Sequence, residues 1–230
     1  MFWVEQCRII YAKHIAGNHK WGDTVKITEV NEQKRKKERY NVFIDDEFCF
    51  SSDLEDIIKY GIKVNREITQ EELEAFIEQC EYSKAYNYSL NLLSKKDYTT
   101  AEMTKKLKAR SYGDSSISRV LDKLKSYGLI NDIEYAKKYI RYCLSTKKCG
   151  KNKIMADLYN LGLTDIEGLD ISICEDAEYE NLREIAVKKL RSIEGKDNAK
   201  QRLYRYLLSK GYEYELIKRA MREIMQEDNF

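Results

Sequence analysis

The chain has 230 residues, with 41 Lys and Arg against 39 Asp and Glu, two His and no proline, for a formal net charge of +2. Its 43% hydrophobic content is too high for a disordered chain. It has no Gly-X-Y period, long apolar run or Pro/Ser-rich tract, which excludes collagenous, membrane-spanning and mucin-like classes and leaves one or two folded domains.

Residues 1–23 form an extension to which the sequence assigns no role. Glu5, Arg8 and Lys13 interrupt what a signal peptide would need as an apolar stretch, so a cytoplasmic protein with reduced thiols is expected. Cys7, Cys49, Cys80, Cys143, Cys149 and Cys174 lie far apart and contain no C-x-x-C; they read as small core residues, not a disulfide framework. Cys7, His14 and His19 match no common zinc-finger spacing and lack a fourth ligand, so no metal is expected.

Residues 24–68 read as a small antiparallel β-hairpin region. Val25 to Val30 alternates apolar and polar residues, Tyr40 to Ile44 does so in part, and Phe48-Cys49-Phe50 follows a tight turn at Asp45-Asp46. A basic loop, Lys34 to Arg39, joins the first two strands. Everything after Ser52 reads as helix. Ser52-x-x-Glu55 opens a short helix that stops at Gly61, Thr69-x-x-Glu72 opens a second, and Thr99-x-x-Glu102 a later one. In each, a hydroxyl and a carboxylate satisfy backbone N–H groups that lack helical partners. Ile117, Val120, Leu121 and Leu124 then share one helix face.

An internal repeat organises the rest. Met103 to Tyr112, followed by Ile117, returns one hundred residues later as Leu203 to Tyr212, followed by Ile217. Ile154 to Leu163 stands between them, and the leading helix repeats as Ala85–Leu93, Ala136–Leu144 and Ala186–Ile193. The expected fold is therefore mainly α: an elongated, curved array of three tandem three-helix repeats behind the β region. The segments are 69–132 (a linking helix and the first repeat), 133–182 and 183–230. The middle copy has a looser, acidic third helix around Asp165 to Glu180.

Charge is sorted by segment. Residues 44–83 carry three basic and 12 acidic side chains, residues 84–160 carry 17 and seven, and residues 161–184 carry one and eight. The basic residues cluster on second helices and the turns before them: Lys105, Lys106, Lys108 and Arg110; Arg141, Lys147, Lys148, Lys151 and Lys153; Arg202, Arg205 and Lys210. Equivalent helices of a solenoid line one face, so these twelve cations form a candidate stripe for an acidic partner, against the plainer reading of solvated helix faces. Tyr112, Tyr127, Tyr139 and Tyr212 read as core, whereas Tyr204 and Tyr206 alternate with Arg202 and Arg205. No P-loop, nucleophile elbow or paired-carboxylate pocket is visible, so neither an enzyme nor a cofactor is expected.

The run Ser94 to Met103, then Leu107-Lys108-Ala109-Arg110, then Tyr127-Gly128-Leu129-Ile130-Asn131-Asp132 with Tyr135-Ala136 and Tyr139-Ile140-Arg141, closely resembles the bacterial RecX family. So does Arg202 to Tyr212, and Arg39 to Phe48 is similar to the hairpin that longer members carry ahead of their repeats. Asp46 replaces the usual turn glycine, and the middle copy lacks a tidy third helix. The resemblance implies a regulator that binds the RecA recombinase and lies in the groove of its filament on single-stranded DNA. It would restrain ATP hydrolysis, strand exchange and LexA self-cleavage in DNA repair and the SOS response. A monomer with no membrane contact and possible direct DNA contact is expected. The alternative is a stand-alone helical DNA-binding protein, suggested by the basic block and the short three-helix units.

Overall fold

Alternation at residues 24–50 builds a four-stranded antiparallel sheet in the computed structural model, which describes residues 24–34, 36–163, 175–193, 195 and 197–227. Cys7, His14, His19 and Cys174 lie outside the described residues. The chain divides into two compact units. The first holds Met103–Leu129 together with the described chain up to Lys96; the second holds Asp97–Glu102 and the described chain from Ile130 onward.

The strands are β1 (Thr24–Gln33), β2 (Lys36–Ile44), β3 (Glu47–Asp53) and β4 (Glu67–Thr69), in the order β3-β2-β1-β4. Val30 faces Val42, Val42 faces Phe50, and Val25 faces Ile68. The β2–β3 turn places Asp45 and Asp46 at φ 48° and 66°, the left-handed pair that a two-residue hairpin demands and that aspartate tolerates. Lys36 to Arg39 belong to β2, so the basic stretch is mostly strand and not loop, and β4 is a strand where helix alone was expected.

Helix α1 (Leu54–Lys59) is capped by Asp53 without a side-chain bond. The expected capping box at Ser52 does not form, because Ser52 is held in β3 opposite Tyr40 and accepts a bond from the Cys80 thiol instead. Helix α2 (Gln70–Leu93) has the reciprocal Thr69–Glu72 box. It runs 24 residues without a break, so the linking helix and the first leading helix are one element. Its first half covers the sheet: Ile27, Val42, Phe50 and Phe76 are fully or almost fully buried, and the Phe76 ring lies 4.6 Å from Phe50. Burying each such side chain contributes about 1.5–3 kcal/mol.

The first copy continues with α3 (Thr100–Lys108) and α4 (Asp114–Ser126). Thr99 and Glu102 exchange backbone-to-side-chain bonds of 3.2 and 3.1 Å at the start of α3. Helix α4 lies on α2, where the Glu81 carboxylate accepts from the Gly113 N–H (2.7 Å) and the Ser116 hydroxyl (3.2 Å).

The second copy has α5 (Asp132–Tyr142), a π-turn at Cys143–Lys147 and α6 (Lys151–Asn160). Residues 164–174, which hold most of the expected acidic third helix, lie outside the described residues. Its end, Glu175 to Glu180, is the first turn and a half of α7 (Glu175–Ile193), which continues as the leading helix of the third copy. Helices α8 (Ala199–Ser209) and α9 (Tyr214–Glu227) complete that copy.

The copies are in register. Met103, Ile154 and Leu203 are all fully buried, as are Ala85, Ala136 and Ala186. Within the second unit one junction occurs twice. The Thr100 N–H donates to Asp132 (2.8 Å), and its counterpart, the Lys151 N–H, donates to Glu178 (2.8 Å). The Thr99 hydroxyl donates to the Leu161 carbonyl (2.9 Å), and the Gly150 N–H donates to the Lys210 carbonyl (2.9 Å). A carboxylate from the following leading helix thus occupies each helix N-terminus, where unpartnered N–H groups and the helix dipole favour a negative charge.

Candidate basic interface

Of the twelve stripe cations, Lys105, Lys106, Lys108 and Arg110 lie in the first unit. All four are exposed. Lys108 pairs with Asp114 at 3.2 Å, and the Arg110 guanidinium sits 4.7 Å over the Tyr88 ring. The side chains of Lys105 and Lys106 have no ionic or hydrogen-bonding partner among the described residues.

The other eight lie in the second unit, and five of them converge where the π-turn leads into α6. Lys148 ends the π-turn in the left-handed conformation (φ 51°, ψ 59°), which turns the chain so that Lys147, Lys148, Lys151 and Lys153 follow within seven residues. The turn after α8 docks here: Lys210 Nζ donates to the Lys147 carbonyl at 3.1 Å, and the Tyr212 hydroxyl donates to the Lys148 carbonyl at 3.1 Å. Lys147 Nζ lies 5.3 Å from the Tyr139 ring and 5.1 Å from the Tyr142 ring, while Lys210 and Lys189 flank Tyr206 at 5.7 and 5.1 Å. Arg141, Lys151, Arg202 and Arg205 are exposed, with no side-chain partner among the described residues.

Not every cation here is available. Lys153 is held at 2.7 Å by Asp157, which also accepts from the Tyr139 hydroxyl at 2.7 Å. Burial alone would raise the Asp157 carboxyl, but the bonds from Lys153 and Tyr139 outweigh it and leave it below the usual carboxylate range. The Tyr139 phenol is driven far up, by burial first and then by its bond to Asp157, and burial pushes the Cys143 thiol up. This cluster is therefore a neutral phenol and thiol beside a satisfied ion pair, an arrangement that fixes α5 to α6 and offers no activated nucleophile. Lys148 pairs with Glu184 of α7 at 3.3 Å.

Helix α7 supplies basic residues that the sequence reading did not single out. Lys148, Glu180, Asn181, Arg183, Glu184, Val187, Lys188, Arg191 and Ser192 line an open groove of about 1010 Å³. The sequence signal was Lys188-Lys189-x-Arg191, diluted by the acidic first turn of the same helix. In the first unit, Arg119 lies 4.6 Å over Tyr82, itself stacked on Tyr86, and Lys123 lies 4.5 Å from the Tyr127 ring. Tyr127 is 59% exposed and so does not belong to the core, whereas Tyr212 is 1% exposed and does. Tyr204 and Tyr206 are half-buried with Arg202 and Arg205 outside, the amphipathic arrangement.

Among the described residues no group of three or more His, Cys, Asp or Glu is placed to hold a metal ion, and no helix is long and apolar enough to cross a membrane. Cys49, Cys80, Cys143 and Cys149 are buried thiols that form no disulfide among the described residues. The arrangement suits recognition of an anionic surface.

Comparison with known proteins accords with this architecture. Residues 25–69 match the family description "Regulatory protein RecX N-terminal domain", residues 85–124 "RecX, first three-helix domain" and residues 176–221 "RecX, third three-helix domain". The chain is 33% identical to a regulatory protein RecX of Clostridioides difficile, over 89% of this chain and 98% of that one. It is 35% identical to that of Clostridium botulinum strain Eklund 17B, over 86% and 95%. A crystal structure of regulatory protein RecX shares the fold with a TM-score of 0.58 at 23% identity, covering 86% of this chain and 99% of its own. One of RecX from Lactobacillus salivarius aligns with a TM-score of 0.55 at 29% identity, covering 64% and 97%.

Proposed function

The chain belongs to the RecX family of regulatory proteins, and from that membership we propose that it binds RecA recombinase filaments on single-stranded DNA and restrains their activities. It acts in the cytoplasm, by binding and not by catalysis. The observation that carries this reading is similarity to RecX relatives over nearly the whole chain, spanning the β region and the helical copies alike.

The repeat architecture supports it. Copies built on one internal register offer like surfaces, and a filament of identical protomers offers like sites at regular intervals. Several weak contacts then gain avidity without any one being strong. The proposed working segments are the β region at 24–68 and the copies at 69–132, 133–182 and 183–230, with the twelve basic residues supplying a salt-sensitive component. Its targets are ATP hydrolysis, strand exchange and promotion of LexA self-cleavage.

The test is RecA ATPase on single-stranded DNA titrated with the purified protein. The rate is expected to fall with dose, and less steeply at higher ionic strength. An unchanged rate, with no co-sedimentation of the protein with filaments, refutes the proposal.

A further inference from the structure

We infer that the α7 groove of the second unit binds the sugar–phosphate backbone of single-stranded nucleic acid, with the Tyr142 and Tyr206 rings beside it taking the bases. This deepens the reading above, since it makes nucleic acid and not RecA the ligand of this particular surface.

Glu180, Glu184, Val187, Lys188 and Arg191 fall at i, i+4, i+7, i+8 and i+11 and so share one face of α7. On a merely solvated face Glu184 and Lys188 would pair across one turn. Glu184 pairs instead with Lys148, from the loop before α6, at 3.3 Å. That bond neutralises one of the two carboxylates that line the groove. Lys188 and Arg191 are exposed, with no carboxylate partner among the described residues. With Lys148 and Glu184 paired, the groove sets Lys188 and Arg191 against the one carboxylate of Glu180 in a concave setting, a balance that favours an anion.

The chemistry continues beyond the groove. Lys147 precedes Lys148 and lies 5.1 Å from Tyr142, which is 47% exposed. Lys189 follows Lys188 and lies 5.1 Å from Tyr206, and Lys210 joins the two by reaching both the Lys147 carbonyl and the Tyr206 ring. Cations and rings are thus interleaved in the order Tyr142, Lys147, Lys210, Tyr206, Lys189. Carboxylates of an acidic protein surface would use the cations and leave the rings idle. A single strand uses both, because its phosphates meet cations and its unstacked bases have free faces for rings. A duplex keeps its bases stacked and offers only the phosphates.

The experiment is fluorescence anisotropy of a fluorescein-labelled oligothymidine with the full chain and no RecA. Unlabelled single strand, the oligothymidine–oligoadenine duplex and polyglutamate serve as competitors. Binding is expected, with single strand competing better than duplex. Lys188→Glu with Arg191→Glu weakens it at least tenfold at low salt and lowers the slope of log affinity against log salt by about 1.4, the value for two lost phosphate contacts at roughly 0.7 each. Tyr142→Ala weakens it without changing that slope. Lys63→Glu with Lys95→Glu, exposed in the other unit and outside the basic stripe, leaves it unaltered. Thermal melts confirm that the variants fold.

Absence of oligothymidine binding, wild-type affinity in the Lys188/Arg191 variant, or displacement by polyglutamate as effectively as by single strand overturns the inference. The RecA ATPase assay on the same variant separates the two ideas. Loss of oligonucleotide binding with inhibition retained supports the groove as a nucleic-acid site and leaves the RecA proposal standing. Inhibition by a wild-type chain that binds no oligonucleotide overturns the groove alone.

Discussion

Ser111, Gly162 and Gly211 occupy the same place in the three copies, two or three residues past each second helix, with φ of 60°, 71° and 84°. A residue with a Cβ is strained there by about 1–2 kcal/mol, and glycine is not. Ser111→Gly is therefore expected to stabilise the chain by up to about 1 kcal/mol, part of the relief being offset by the greater freedom of glycine in the unfolded chain. Gly211→Ala does the reverse and more, because its Cβ would overlap the Lys153 backbone. Gly128→Ala, with φ 66° and open space around the new Cβ, isolates the conformational part. Urea unfolding should rank Ser111→Gly above wild type, then Gly128→Ala, then Gly211→Ala. Leu107, fully buried, belongs to the same scale: Leu107→Ala should cost about 2–5 kcal/mol in the same assay, by lost transfer free energy and the cavity left behind.

At the scale of elements, Tyr179 of α7 donates its phenol to Glu223 of α9, and Arg219 holds the same carboxylate at 3.2 Å. Burial, followed by the bond to Glu223, pushes the Tyr179 phenol up to about 12 from an ordinary value of 10.0. The unfolded chain releases this proton near pH 10 while the folded chain keeps it. The stabilisation is thus complete below pH 10 and is lost as pH rises through about 12. The urea midpoint should decline across that window, and Tyr179→Phe should flatten the decline while lowering the midpoint at neutral pH. Local signals of this kind explain which elements the sequence reveals. The boxes at Thr69 and Thr99 form because both partners are free to turn toward the helix start. The box at Ser52 fails because β3 uses that residue for pairing with β2. Strand β4 has three residues and borrows its partner, β1, from some forty positions upstream, so no local pattern announces it. The merger of the linking and first leading helices is legible only in hindsight, since neither Gly nor Pro interrupts Gln70–Leu93.

For the molecule as a whole, a net charge of +2 hides an acidic block, a basic block and a second acidic block, and these were visible along the chain. What was not visible is which cations are already engaged, because their partners stand far away in sequence. Lys148 is taken up by Glu184 and Arg110 by the Tyr88 ring, whereas Lys105 and Lys106 beside Arg110 are exposed and unpartnered. Equal charges on one helix and the turn that follows it are therefore unequal as probes. Lys105→Glu with Lys106→Glu removes no intramolecular contact and should leave the melting temperature unchanged. Arg110→Glu strips a cation from an aromatic face and should lower it. If the first unit contributes to filament binding, the Lys105/Lys106 variant weakens inhibition of RecA ATPase and flattens its dependence on salt, because each lost ionic contact releases fewer counterions. An unaltered salt titration would identify this pair as a solvated face and confine the electrostatic part of binding to the second unit.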